Sequence, residues 1–133
     1  MVGAAATLTL TIQWVDDVYD LYRRGMSLLD DGHFHAATVP LSKAADLEPD
    51  KTSIREALGR AYFRSQHFEQ ARAEFEAVVE RAPTNDYALF CLGRALLQLG
   101  RAAEARKPLT LAATMNPKRH DYRIYRDRAR KAD

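Results

Sequence analysis

Residues 55–83 read REALGRAYFRSQHFEQARAEFEAVVERAP, and the marks in this stretch recur at a fixed distance on either side. Leu58-Gly59 is followed by Tyr62, then Ala71, Phe75 and Pro83. Thirty-four residues earlier the same places hold Gly25, Leu28, Ala37, Leu41 and Pro49, and 34 residues later Gly93, Leu96, Ala105, Leu109 and Pro117. A constant period of this length is the signature of stacked helical hairpins, each too small to bury its apolar face alone.

Apolar periodicity and punctuation divide each unit into two helices. Val18, Leu21, Tyr22, Gly25, Leu28 and Leu29 recur at steps of three and four, and Asp31-Gly32 closes that helix. Phe34 to Leu47 forms the second helix, ended by Glu48-Pro49. Thr52 or Ser53 caps the third, with Ser53-x-x-Glu56 in capping-box spacing. The fourth spans Phe68 to Arg81, and the fifth runs from a Thr84 or Asn85 cap to Leu99, with Gly100 as its stop. Ala102 to Thr114 is the sixth and His120 to Lys131 the seventh. Pro40 and Pro108 fall inside the second helices of the outer units, where each removes a backbone bond and is expected to kink its helix.

A glycine in a helix interior costs about 1 kcal/mol against alanine, so three at one phase need a packing reason. The spacing puts Gly25, Gly59 and Gly93 where the return helix crosses. Ala37, Ala71 and Ala105 are expected to face them, with Leu41, Phe75 and Leu109 filling the wedge between successive hairpins.

These residues resemble the tetratricopeptide repeat, whose pattern carries a tryptophan, leucine-glycine, tyrosine, spaced alanines and a closing proline. The middle unit keeps Leu58-Gly59, Tyr62, Ala71, Phe75 and Pro83, and the third keeps Leu92-Gly93, Ala105, Ala112 and Pro117. Leu21, Arg55 and Leu89 stand in place of the tryptophan, and Val78 in place of an alanine. The resemblance implies an all-α superhelical solenoid over residues 17–133. Three antiparallel hairpins (about 18–51, 52–85 and 86–119) are followed by a capping helix (about 120–131).

The resemblance also implies a concave groove lined by the first helix of each hairpin, which takes a peptide segment of a protein partner. Its residues would be Tyr19, Tyr22 and Met26, then Ser53, Glu56, Arg60, Phe63 and Arg64, then Tyr87, Phe90, Arg94 and Gln98. Aromatic surface among guanidinium groups suits a peptide with apolar side chains and a carboxylate or phosphate. One sub-family clamps the acidic tails of heat-shock chaperones with lysines, asparagines and an arginine. The matching places here hold Tyr22, Met26, Ala57, Tyr87 and Cys91, so that clamp is absent.

Residues 7–14, TLTLTIQW, alternate as a half-buried strand does, but no second stretch offers a partner. Three courses are open to residues 1–16: disorder, an extended arm that buries Trp14 on this or a neighbouring molecule, or absorption into the first helix. The division adopted is an extended or disordered arm ahead of the repeat domain.

Composition bounds the rest. A chain of 133 residues with 47% hydrophobic and 29% charged residues builds one globular domain, and its single cysteine excludes an internal disulfide. No apolar run approaches the roughly 18 residues of a membrane span. No basic residue precedes the mildly apolar start, so no secretory signal is expected and the expected location is cytoplasmic.

Charge is polarised. Residues 1–51 carry eight acids and four bases, whereas residues 118–133 carry three acids and seven bases. That polarity suggests an alternative to the adaptor: a self-associating scaffold, in which the acidic end of one copy meets the basic end of another, with the arm assisting.

No catalytic constellation, phosphate loop or cofactor motif is present, and the reading is non-enzymatic. His33-x-His35 reads as a solvated turn pair rather than a metal site. Arg119, Arg123, Arg126 and Arg130 read as the solvated outer face of the last helix, interrupted by Asp121 and Asp127, so nucleic acid is not expected as a partner.

Overall fold

The computed structural model describes residues 3–132, with side chains from Asp17 onward. The described residues form seven helices: α1 (Gly3–Asp30), α2 (Phe34–Leu47), α3 (Thr52–Arg64), α4 (Phe68–Arg81), α5 (Asp86–Gln98), α6 (Ala102–Met115) and α7 (His120–Lys131). The all-α expectation is met, and α2 to α7 begin and end within a residue of where glycine, proline and apolar periodicity place them.

The start of the chain differs. α1 begins at Gly3, so the alternating TLTLTIQW segment continues the first helix instead of forming an extended or disordered arm. A strand without a partner leaves its backbone groups unpaired, whereas a helix satisfies them within the segment. Residues 1 and 2 and the side chain of Trp14 lie outside the described residues. The caps are also corrected: Lys51 precedes α3 with no side-chain bond, so the Ser53–Glu56 capping box does not form. Asn85 does cap α5, its side-chain oxygen accepting from the Ala88 backbone N–H at 3.0 Å.

Each helix packs on its neighbours in sequence. The odd-numbered helices also touch one another in succession (α1 with α3, α3 with α5, α5 with α7), while the even-numbered ones do not meet. A stack whose odd helices approach more closely must curve toward them, so α1, α3, α5 and α7 line the concave side.

The turns inside the three hairpins share one geometry. The His33, His67 and Arg101 amides donate to the carbonyls of Leu28, Tyr62 and Leu96 at 2.8, 2.8 and 2.9 Å. This six-to-one closure places one residue of each turn in the left-handed region: Gly32, Gln66 and Gly100.

Close packing within each hairpin is set by the repeated glycines, though not against the residues expected. A Cβ at Gly25 would lie 2.5 Å from Leu41 Cδ2, one at Gly93 2.5 Å from Leu109 Cδ2, and one at Gly59 2.9 Å from Phe75 Cζ. Leu41, Phe75 and Leu109 therefore sit on the glycines themselves. Ala37, Ala71 and Ala105 are fully buried beside this contact. The larger residues reach the crossing because side chains on a helix lean toward its amino terminus. α2 and α6 run continuously through Pro40 and Pro108, both of which are buried.

α7 closes the stack. The buried Tyr122 donates its hydroxyl to Asp86 at 2.9 Å and packs its ring on Phe90, with centroids 4.6 Å apart. Arg106 of α6 donates to the carbonyls of Ala129 and Ala132 at 3.1 and 2.7 Å, which occupies acceptors that a helix end leaves free. No described helix is long and apolar enough to cross a membrane.

Candidate functional site

The side chains proposed for the groove divide into three groups on the concave side. Tyr19 and Tyr22 border a shallow depression with Lys51, Ser53 and Ile54, where the second half of α1 runs beside the start of α3. Tyr19 is 65% exposed and carries the Arg23 guanidinium 5.6 Å from its ring centre. Tyr22 and Met26 are half-buried against the core of the first two hairpins. Gln98 is exposed at the far end of α5.

The middle of the groove is more enclosed. Arg60, Phe63 and Arg64 of α3 and Tyr87, Cys91 and Arg94 of α5 line a recess of about 150 Å³, closed at one side by Phe34. Helical spacing alone brings Arg60, Phe63 and Arg64 to one face, and Tyr87, Cys91 and Arg94 follow the same three- and four-residue rhythm one hairpin later.

Aromatic rings hold two of the three guanidinium groups. Arg64 lies 4.2 Å from the centre of the Phe34 ring. Arg94 lies 4.6 Å from the centre of Phe63 and 4.9 Å from that of Tyr125. Such stacking is worth about 0.5–2 kcal/mol and fixes the guanidinium plane while leaving its N–H edges free to donate. The Arg94 Nε is buried with no acceptor among the described residues. Glu56, one turn before Arg60, instead accepts from the Asn85 side-chain amide at 3.3 Å.

Burial pushes the Tyr87 phenol up to about 12, and burial likewise pushes the Cys91 thiol up to about 12. Cys91 is therefore a protonated, unreactive wall of the recess.

One expected groove residue is displaced. Phe90 is only 4% exposed and packs in the core of the third hairpin and cap, between Tyr122 and Tyr125. The capping helix covers it, which the phase of α5 alone does not reveal. Leu29, Phe34, Phe75 and Cys91 line the recess but fall outside the set read from the sequence. Phe34 comes from the first turn of α2, and Tyr125 of α7 supports Arg94 from outside the recess. Phe34 had a signal: it stands 34 residues before Phe68, which packs edge-to-face on Phe63 with centroids 5.2 Å apart.

Elsewhere, His35 stacks on His67 with centroids 5.3 Å apart, and His33 is exposed. Among the described residues no three histidine, cysteine, aspartate or glutamate side chains gather as a metal site would require. On α7, Arg119 pairs with Asp121, and Arg126 and Arg130 with Asp127, so the basic stripe is partly neutralised along its own helix.

The family model for tetratricopeptide repeats matches residues 56–120. Among solved structures, the first such domain of Spaghetti (RPAP3), bound to the HSP90 peptide SRMEEVD, is similar with a TM-score of 0.81 and 20% identity. That match covers 88% of this chain and 93% of that one. The Arabidopsis OM64 domain matches with a TM-score of 0.80 and 18% identity, over 89% of this chain and 98% of that one. MamA MSR-1 matches with a TM-score of 0.78 and 25% identity, over 84% of this chain and 64% of that one. No curated protein matches the sequence.

Proposed function

Because the chain is a tetratricopeptide-repeat protein of three repeats closed by a capping helix, we propose that it is an interaction module that binds a peptide segment of a partner protein along its concave groove. The observation that carries this reading is the recess between α3 and α5. There Arg60, Arg64 and Arg94 project among Phe34, Phe63 and Tyr87 in the middle of the curved face. An apolar side chain of the peptide gains surface burial against the rings, and an acidic group gains charge-assisted hydrogen bonds from the arginines.

The peptide complex of the similar RPAP3 domain supports a peptide as the class of ligand. The residues at the groove positions here argue for a different sequence from a chaperone tail, because Tyr22, Met26, Ala57, Tyr87 and Cys91 occupy the places of that clamp. Three repeats give a short contact, so micromolar affinity is expected, about −8 kcal/mol.

The test is selection of unmodified linear peptides displayed on phage against the full chain. Enriched sequences should combine apolar and acidic residues, and their fluorescence anisotropy titration should weaken at least about tenfold in Arg60→Glu/Arg94→Glu. Circular dichroism checks that the double variant remains helical. Equal binding by the folded variant, or absence of any enriched sequence together with no binding of phosphorylated peptides, would sink the reading.

A further inference from the structure

Many guanidinium groups of this protein are tied to carboxylates, while others rest elsewhere, such as Arg106 on backbone carbonyls and Arg128 on the Tyr125 ring. Arg55, Arg72, Arg81, Arg101, Arg119 and Arg126 each hold a carboxylate within 4.0 Å, and most are tied down at 2.5 to 3.0 Å. Arg60, Arg64 and Arg94 hold none among the described residues, although all three line one recess. Three like charges lining one recess repel one another, and Glu56, whose charge reaches Tyr87 and Cys91, is the carboxylate nearest to offset them, so the recess keeps a net attraction for an anion.

We propose that this recess takes a phosphorylated side chain, a phosphoserine or phosphothreonine monoester, of the peptide that the groove binds. The inference rests on the peptide-binding reading and names the chemistry of its central contact. A side-chain carboxylate brings one charge and two acceptor oxygens to three cations. A phosphate monoester brings about −1.5 to −2 charges and three acceptor oxygens, one for each guanidinium.

Phe34 under Arg64, and Phe63 with Tyr125 about Arg94, fix two of the planes before any ligand arrives. The ordering cost of binding is then small. The Arg94 Nε is buried among these rings, so Arg94 offers the ligand its terminal N–H groups. A volume of about 150 Å³ admits one phosphoryl group with its ester carbon.

Three degenerate dodecapeptide libraries test the proposal, identical except for one fixed central residue: phosphoserine, glutamate or serine. Each is titrated against the full chain, with inorganic phosphate as a separate competitor at constant ionic strength. The phosphoserine library should bind at least about tenfold more tightly than the glutamate library, and inorganic phosphate should compete in the millimolar range. Arg60→Gln/Arg64→Gln, which alters only side chains at the recess rim, should bring the phosphoserine and glutamate libraries to equal affinity. Equal binding of those two libraries by the unaltered protein would overturn the phosphate assignment and leave the peptide groove standing. Failure of all three libraries together with the phage selection would remove both.

Discussion

The outer hairpins and the middle one close over the same glycine in different ways. In α1–α2 and α5–α6 a leucine follows a buried proline and presses on Gly25 or Gly93. In α3–α4 the proline is missing and the flat ring of Phe75 covers Gly59 from slightly farther away. The turns divide likewise, with Gly32 and Gly100 outside and Gln66 in the middle at the same left-handed place. Two unlike packing solutions therefore support one backbone shape, which shows that the 34-residue frame is set by the glycine contact and the turn closure.

The largest effect that separates the two solutions is expected from the glycines. Gly93→Ala should cost about 3 kcal/mol in urea unfolding, because the new Cβ meets the branch of Leu109 inside a packed core. Gly59→Ala should cost about 1 kcal/mol or less. There the ring edge can swing by a few tenths of an ångström, and the gain in helix propensity offsets part of the strain. Adding Leu109→Ala to Gly93→Ala should recover part of the first loss, so the double variant is more stable than the sum of the single costs. Equal costs at the two glycines would show that the ring and the branched chain pack alike.

The prolines come next. Pro108→Ala restores a backbone bond to the Glu104 carbonyl, where an interior proline costs about 3 kcal/mol. It also gives up about 1.6 kcal/mol of buried methylene surface. A net gain of about 1 kcal/mol is expected, read as a higher urea midpoint, with a similar gain for Pro40→Ala. A smaller change is expected at the turn: Gln66→Gly should raise stability by about 0.5 kcal/mol by removing a side chain from the left-handed region.

The smallest effect concerns Cys91, whose place in the middle repeat is held by Ala57. Its folded thiol sits near 12, against an ordinary value of 9.0. The neutral form is favoured in the fold, so its contribution is fully present below pH 9 and fades as pH rises toward 12. Iodoacetamide at pH 8 should leave the native thiol unmodified and should react once urea unfolds the chain.

Much of this was legible in the sequence because glycine, proline and alanine mark constraints that act locally. The period, the helix ends and the face shared by Arg60, Phe63 and Arg64 all follow from spacing along one helix. What escaped depends on how helices cross. That Leu41 rather than Ala37 meets Gly25 is decided by the lean of side chains across the hairpin. Phe90 is lost from the groove because α7 folds over it, Phe34 enters the recess from α2, and Tyr125 reaches Arg94 from α7, neither element forming the recess floor. The alternation in residues 7–14 misled for the opposite reason: a strand pattern has no force without a neighbouring strand.

The Arg106 clasp on the last carbonyls of α7 has a consequence for how the molecule comes apart. A stack whose units touch only their neighbours melts inward from its ends. The carboxy-terminal end is fastened twice, by Arg106 on Ala129 and Ala132 and by Tyr122 on Asp86. Cutting the first of these fastenings should therefore let the cap fray, with amides of α6 exchanging with deuterium sooner in Arg106→Ala than in the unaltered protein.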